Sequence, residues 1–379
     1  MTERNIPIKV RPEIANIPVY KQGARPVAGG FKLSSNESPF TPLPAVLKAV
    51  QNRTDLNRYA DPSLTVLRET LAANNGLPGA DWVHISAGSV HILYQLIQTV
   101  CGPQNNYVHA WPSFEAYPLL GAPNNCTAIG VPLRPDATHD LPAMLAAIND
   151  DTRAVLLCTP NNPTGPTIKK SEFDEFIAQV PSDLLVVVDE AYIEFNRDEQ
   201  TVQGAEELHR HSNVVVLRTF SKAYGLAGLR LGYGLADPGI WRAMSAVVVP
   251  LSVSGIAESA ALAALEPESL DSLNEQITAI QERLDALRAG LEELGLELPA
   301  SESNFIWIPA HQLPQPAAGS EISDPAQALG AYCASEHNIL IRPFAGHGLR
   351  ITAGEAESVP AVIAAISEYL QANRGGANG

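Results

Sequence analysis

The stretch Thr219-Phe-Ser-Lys-Ala-Tyr-Gly-Leu-Ala-Gly-Leu-Arg230 places one amine among hydroxyls, glycines and a fixed cation. It follows the apolar run at residues 214–217, which predicts a strand buried on both faces. Thr219 and Ser221 offer hydroxyl donors, the two glycines allow close backbone approach, and Arg230 offers a second anion contact. These residues favour a phosphate held beside Lys222, whose amine can form a Schiff base with an aldehyde cofactor.

Short apolar runs recur between about residue 80 and residue 236, separated by helical or loop stretches. Several are apolar at consecutive positions, which is typical of strands covered on both faces in a largely parallel sheet. The sequence therefore predicts an α/β fold with helices on both sides of a central sheet. The runs lie at residues 83–86, 107–110, 154–158, 184–188, 214–217 and 231–235.

After Pro250 the pattern changes to a helical stretch at residues 256–294, with a break near Pro267. This stretch predicts a linker helix into a second domain. That domain would contain three short apolar runs and a C-terminal helix. The runs lie at residues 305–308, 339–342 and 349–352, and the helix lies near residues 359–372.

A chain of 379 residues is longer than a single hydrophobic core usually holds, so we expect a large domain and a smaller one. The large, cofactor-binding domain is predicted at residues 46–265 and the small α+β domain at residues 266–379. Residues 1–45 carry many prolines and little periodicity, and we expect an extended arm associated with the small domain. A disordered tail is the alternative for this segment.

Composition narrows the class of partner. A net charge of −16 argues against nucleic acid or an anionic membrane as a binding partner. The four cysteines form no C-x-x-C pair, so neither a disulfide framework nor a metal site is predicted. No signal-type apolar core or membrane-length apolar run occurs, and we expect a cytoplasmic protein.

Polar residues gather where the predicted strands end, which is where open parallel sheets bind ligands. The run at 184–188 ends in Asp189-Glu-Ala-Tyr192, and the run at 154–158 leads into Thr-Pro-Asn-Asn162-Pro-Thr-Gly. A carboxylate buried after apolar residues needs a cationic partner, and a protonated pyridine nitrogen is one. A helix cap or a structural ion pair is the alternative for Asp189.

A third strand end precedes a predicted helix. In Ser86-Ala-Gly-Ser-Val-His91 the glycine allows close approach, and backbone N–H groups at such a helix start form an anion site. A plain strand-to-helix turn is the alternative reading. Trp111-Pro-Ser-Phe114 follows a further strand and offers an aromatic ring.

Taken together, these motifs resemble pyridoxal-phosphate aminotransferases of fold type I, in the branch that holds histidinol-phosphate and aromatic amino-acid aminotransferases. The Pro-Asn-Asn-Pro-Thr-Gly, Asp-Glu-Ala-Tyr and Ser-Lys segments carry the resemblance, which covers nearly the whole chain. It implies the cofactor pyridoxal 5′-phosphate, a mostly parallel large domain with a smaller α+β domain, and a homodimer.

The resemblance also implies a role for each matching residue. Lys222, Asp189 and Tyr192 would be catalytic, with Asp189 on the pyridine nitrogen and both Tyr192 and Asn162 on the ring oxygen. Many members of that family have an acidic residue at the position of Val90. Its absence here matters little if the backbone amide of Val90 makes the contact. The remaining cofactor residues would be Ser89, Val90, Phe114, Thr219, Ser221 and Arg230, with Tyr59 from the partner subunit. Substrate would be bound by Arg350, Asn36, Tyr20 and Asn162, and segments holding Asn304 and Arg342 also match.

The activity implied is ping-pong transamination of phenylalanine or tyrosine with a 2-oxo acid acceptor through a Lys222 Schiff base. Residues 11–20, Ser89-Val-His-Ile and Trp111 look closer to actinobacterial aromatic aminotransferases than to histidinol-phosphate enzymes. Histidinol-phosphate transamination in histidine biosynthesis is the alternative. A decarboxylase and a ligand-sensing module are more distant ones, and residues 1–45 are too short and proline-rich for a sensor's DNA-binding segment.

Overall fold

The structure, a computed structural model, describes residues 9–15, 28–316 and 320–374. A seven-stranded sheet lies at the centre of this part of the chain. The strands of this sheet and of two smaller sheets are, in chain order, β1 (Phe31–Lys32), β2 (Val83–Ser86), β3 (Asn106–Trp111), β4 (Thr127–Pro132), β5 (Thr152–Cys158), β6 (Leu185–Asp189), β7 (Val214–Thr219), β8 (Gly232–Ala236), β9 (Phe305–Pro309), β10 (Ile339–Leu340), β11 (Arg342–Phe344) and β12 (Gly348–Thr352). The central order is β2-β8-β7-β6-β5-β3-β4, and β8 runs antiparallel to both of its neighbours. The other neighbouring pairs are parallel, which confirms the α/β prediction.

The described residues also form helices, some of which pack against this sheet and others against the strands outside it. They are α1 (Pro12–Ala15), α2 (Pro44–Gln51), α3 (Thr65–Asn74), α4 (Ser89–Val100), α5 (Leu141–Ala146), α6 (Lys170–Ile177), α7 (Gly204–Glu207), α8 (Pro238–Met244), α9 (Gly255–Ala264), α10 (Pro267–Glu293), α11 (Pro325–His337) and α12 (Ser358–Arg374). Within the described ranges, no helix has both the length and the apolar character that a membrane crossing requires. The predicted break near Pro267 is confirmed, because α9 ends at Ala264 and α10 begins at Pro267.

The central strands are buried on both faces because their successive side chains enter two different cores. Val186 and Val188 of β6 lie in one core, whereas Leu185 and Val187 lie in the other. Alternate side chains of a strand point to opposite faces, so a strand covered on both sides is apolar at every position. This double burial explains the continuous apolar runs of the sequence.

A second, three-stranded antiparallel sheet has the order β11-β12-β9 and packs against α10 and α11, which also contact α12. The single strand predicted at residues 339–342 is wrong. Residues 339–340 form β10, which pairs in parallel with β1, while Arg342–Phe344 forms β11, which pairs with β12. The run is divided at Ile341 because the residues before it pair with β1, whereas those after it pair with β12. The sequence reading also missed β4, which is half exposed, and α11.

Several described contacts connect the N-terminal segment to the rest of the chain. Arg11 beside α1 donates hydrogen bonds to the backbone oxygens of Ala122 and Pro123, at 3.2 and 3.4 Å. Further on, Phe31 and Lys32 pair with β10. The three-domain division at residues 45 and 265 stays a prediction. Tyr20, predicted to contact substrate, lies outside the described residues.

Candidate active site

A cavity of about 660 Å³ lies at the carboxyl ends of β5, β6 and β7. It is lined by every described residue predicted for the cofactor and substrate sites except Tyr59. Arg342 and the unpredicted Glu115 and Tyr94 line it as well. The predicted residues that meet here are Asn36, Ser89, Val90, Phe114, Asn162, Asp189, Tyr192, Thr219, Ser221, Lys222, Arg230 and Arg350.

Asp189 is buried at the end of β6, and its two carboxylate oxygens differ. Oδ2 accepts a hydrogen bond from the Tyr117 hydroxyl at 3.0 Å, whereas Oδ1 has no hydrogen-bond partner among the described residues. Burial raises the pKa of this carboxyl to about 6. A buried oxygen without a partner is unfavourable, so this position suits a ligand that presents a cation or an N–H group.

Lys222 is partly buried, and its Nζ donates to the backbone oxygen of Ser35 at 3.0 Å. The same Nζ lies 5.7 Å from the centre of the Tyr192 ring. Burial first, and then the positive charge of Arg350, lower the pKa of this amine to about 7. A large share of the amine is therefore neutral near pH 7, as a nucleophile or a general base requires.

The start of α4 forms one end of the cavity. Gly88 precedes the helix with a φ of +92°, and a Cβ there would lie 2.6 Å from Nη2 of Arg230. A Cβ on Gly232 would lie 2.2 Å from the backbone nitrogen of Ser89. Nη1 of Arg230 donates to Ser221 Oγ at 3.4 Å. First-turn amides have no partner within their helix, so together with a guanidinium they suit a phosphate.

Arg350 on β12 is buried, and it donates to Asn162 Oδ1 at 2.5 Å and to the Ser34 backbone oxygen at 2.6 Å. Both acceptors are neutral, so these contacts orient the guanidinium without cancelling its charge. The guanidinium carbon of Arg350 also lies 5.5 Å from the centre of the Phe305 ring. A guanidinium held in this way suits the bidentate binding of a carboxylate.

Asn36 connects Tyr192 to the second sheet. It is buried in a left-handed conformation with a φ of +54°. Its Nδ2 donates to the Tyr192 hydroxyl at 2.8 Å, and its Oδ1 accepts from Thr352 Oγ1 at 2.9 Å. Asn304 donates to the Asn36 backbone oxygen at 3.3 Å. Asn304 therefore supports Asn36 and is absent from the residues that line the cavity.

Glu115 and Tyr117 also escaped the sequence reading, although Glu115 follows Phe114 directly and Tyr117 lies shortly after it. Tyr117 bonds Asp189, and Glu115 forms an ion pair with Arg342. The segment was selected for its aromatic ring alone. Nothing local marks either pairing, because the partners are 72 and 227 positions away in the sequence.

Tyr59 lies outside this cavity and is 80% exposed. The residues after it, at 60–64, line a second cavity of about 360 Å³ together with residues 248–253. Leu56, Val249 and Leu251 are also exposed, at 68%, 51% and 47%. The role of Tyr59 in a partner's site stays a prediction.

Comparison with known proteins gives relatives that span nearly the whole chain. The chain is 40% identical over 354 residues to an aromatic amino acid aminotransferase from Streptomyces avermitilis, covering 92% of this chain and 94% of the relative. It is 42% identical over 357 residues to one from Corynebacterium glutamicum strain R, covering 94% of this chain and 98% of the relative.

Solved structures with a similar fold also match most of the chain. A histidinol-phosphate aminotransferase from Sinorhizobium meliloti, crystallised with pyridoxal-5′-phosphate, matches with a TM-score of 0.84 and 28% identity, over 96% of this chain and 98% of that one. An aspartate aminotransferase from Thermus thermophilus with maleate matches with a TM-score of 0.79 and 23% identity, over 90% and 92%, and supports the fold alone. Residues 28–366 match the family model described as "Aminotransferase class I and II". The chain belongs to this aminotransferase family.

Proposed function

We propose that the chain is a pyridoxal-phosphate aminotransferase that exchanges amino groups between aromatic amino acids and 2-oxo acids. The observation that carries the cofactor assignment is Oδ1 of buried Asp189, which has no partner among the described residues and lies in the same cavity as the Lys222 amine. The aromatic substrate is supported by the relatives at 40% and 42% identity, both named as aromatic amino acid aminotransferases.

The residues of the cavity fit the cofactor. Oδ1 of Asp189 suits a protonated ring nitrogen, and the first turn of α4 with Arg230 suits the phosphate. Tyr192 and the Asn162 amide would donate to the ring oxygen, and Phe114 would stack on the ring. The cofactor, when bound, supplies an electron sink for the negative charge that develops at the substrate Cα.

The protein's own groups then position substrate and move a proton. Arg350 binds the α-carboxylate, which fixes the Cα–H bond near Lys222. Nζ of Lys222 takes the Cα proton and later returns it, because its lowered pKa leaves it neutral near pH 7. Asn36 holds the Tyr192 hydroxyl in place. One oxo acid leaves before the second enters.

We also propose a homodimer, in which the exposed surface formed by Leu56, Tyr59, Val249 and Leu251 is covered by a second copy. Exposed apolar side chains that gather beside a cavity mark interaction surfaces. A two-fold interface would bring Tyr59 of one protomer to the phosphate end of its partner's site. A cytoplasmic location also stays a prediction.

Substrate choice is the first test. We expect kcat/KM for phenylalanine to exceed that for histidinol phosphate by at least ~10-fold, since histidinol phosphate carries a phosphate ester in place of the α-carboxylate and an imidazole in place of the phenyl ring. Arg350→Ala should lower kcat/KM for phenylalanine and phenylpyruvate alike, by ~30-fold or more, because both share the carboxylate clamp. A preference for histidinol phosphate would transfer the assignment to that substrate. Release of carbon dioxide without an oxo acid would indicate a decarboxylase.

The lowered pKa of Lys222 is measurable without turnover. In the cofactor-free protein, acetylation of Lys222 followed by peptide mass spectrometry should reach half its maximum near pH 7. Arg350→Gln should move this midpoint upward, because it removes a neighbouring positive charge. The exposed Lys48 on α2 serves as the internal reference. Borohydride should fix the cofactor on Lys222, and a label on any other lysine would refute the assignment.

Asp189 should be needed for rate and not for stability. Asp189→Asn should lower kcat by ~100-fold or more, because it removes the charge opposite the ring nitrogen. The native pKa of Asp189 is raised from 3.8 to about 6, so the ionised carboxylate destabilises the cofactor-free protein increasingly as pH rises through that interval. In that state the Asp189→Asn substitution should raise the melting temperature more at pH 8 than at pH 5. A lower melting temperature at both values would make Asp189 structural.

Sedimentation tests the dimer. The wild type should sediment at about twice the chain mass of 40.5 kDa. Val249→Asp and Leu251→Asp should give monomers that retain cofactor poorly, because each places a charge in the apolar interface and removes the partner's Tyr59. Ala289→Asp, an exposed change on α10, is the matched control. A monomeric wild type, or dimeric variants, would contradict the proposed interface.

A further inference from the structure

Tyr117 lies behind the cavity and contacts Asp189. Its hydroxyl donates a hydrogen bond to Oδ2 of that carboxylate at 3.0 Å, and both side chains are buried. Asp189 lines the cavity, whereas Tyr117 is absent from the lining residues. Among the described residues, Tyr117 is the one side chain that donates a hydrogen bond to Asp189. An effect of this tyrosine on a bound ligand must therefore pass through the carboxylate.

Several contacts fix the position of Tyr117. The hydroxyl of the fully buried Tyr107 donates to the Tyr117 backbone oxygen at 2.6 Å. The Tyr117 ring packs edge-on against the rings of Phe114 and His109, with ring centres 5.6 and 5.9 Å apart. Its backbone N–H donates to the Phe114 backbone oxygen at 2.9 Å. The hydroxyl is thus a donor that is already in place beside the carboxylate, and it needs no reorganisation to stabilise a charge there.

The hydroxyl of Tyr117 remains a donor throughout the neutral pH range. Burial first, and then the negative charge of Asp189, raise the pKa of Tyr117 above its ordinary value of 10. An ionised carboxylate only accepts hydrogen bonds, so a donor that stays protonated stabilises the charged form of Asp189. Burial has the largest effect on the pKa of Asp189 and raises it, and the Tyr117 hydrogen bond has the largest effect in the opposite direction.

Other groups beside Asp189 influence its charge less than Tyr117 does. The charge of Glu190 raises the pKa of Asp189, whereas Lys222 lowers it. Burial raises the pKa of the Cys158 thiol to about 12 and also raises that of the Tyr192 hydroxyl, so both groups are neutral near pH 7. The titratable groups that face Asp189 are thus Tyr117, Cys158, Glu190, Tyr192 and Lys222.

We propose that Tyr117 is a positioning residue, which keeps Asp189 ionised and leaves Oδ1 for the ring nitrogen of the cofactor. The inference rests on the proposed function. Because the hydroxyl holds Oδ2, the oxygen without a partner among the described residues is Oδ1. A neutral Asp189 would not favour a protonated ring nitrogen, and the electron sink that the cofactor supplies would weaken.

Binding of two cofactor forms tests the proposal. The 1-deaza analogue of pyridoxal 5′-phosphate has a C–H group in place of the ring nitrogen, so it gains nothing from an ionised Asp189. Tyr117→Phe should weaken the binding of pyridoxal 5′-phosphate by ~10-fold or more, because the variant favours the neutral carboxyl. The affinity for the analogue should change by less than ~3-fold. Equilibrium dialysis against the cofactor-free protein measures both constants.

The pH dependence of stability gives a second readout without turnover. The pKa of Asp189 is raised from 3.8 to about 6 in the folded protein, so ionisation destabilises the fold as pH rises through that interval. Loss of the hydroxyl raises the folded pKa further. Tyr117→Phe should therefore lower the melting temperature of the cofactor-free protein more at pH 8 than at pH 5, and this difference should disappear in the Asp189→Asn background. An equal loss at both pH values would make Tyr117 an ordinary core tyrosine.

Tyr233→Phe is the matched control. The Tyr233 side chain is also buried and interacts with a charged group, Arg218, but it is absent from the residues that line the cavity. This variant should leave the ratio of the two affinities unchanged. If Tyr117→Phe does not fold, Tyr107→Phe replaces it, because that change removes the donor that holds the Tyr117 backbone. It should reduce the preference for pyridoxal 5′-phosphate over the analogue by ~3-fold or more.

The two levels of inference fail in different ways. A wild type that binds pyridoxal 5′-phosphate no better than the analogue refutes the proposed cofactor site. A wild type with a clear preference, which a folded Tyr117→Phe or Tyr107→Phe variant retains in full, refutes only the role of Tyr117.

Discussion

The buried carboxylate of Asp189 is the constraint on which the rest of the site depends. It stands at the end of a strand that is covered on both faces, and Tyr117 bonds only one of its oxygens. Burial raises its pKa to about 6, so a cation beside Oδ1 is strongly favoured. We propose that this position takes the protonated ring nitrogen of the cofactor, with Lys222 and the start of α4 arranged around it.

The charges of the cavity contrast with those of the whole protein. The chain carries a net charge of −16, so long-range attraction does not concentrate anionic substrates. Arg230 and Arg350 provide local cations at two parts of the cavity, one beside the α4 start and one on β12. Arg342 is paired with Glu115.

The segment after β1 joins the two sheets at the site. Ser34 accepts from Arg350, Ser35 accepts from Lys222, and Asn36 bonds both Tyr192 and Thr352. Residues at the ends of the central strands are thus oriented by a stretch whose own strand, β1, pairs with β10 outside the central sheet. The position of the Lys222 amine and the position of the Arg350 guanidinium are coupled through three consecutive residues.

The sequence by itself determined the α/β class, because strands buried on both faces leave continuous apolar runs, and it identified the residues that follow those runs. It pointed to Lys222 and Asp189 because each lies next to its strand. Only the tertiary structure decided the antiparallel direction of β8, the division of residues 339–344, and the pairings of Tyr117 with Asp189 and of Glu115 with Arg342. Local patterns report the burial and periodicity of one segment. Contacts between residues 72 or 227 positions apart depend on strand order and register, which no single segment contains.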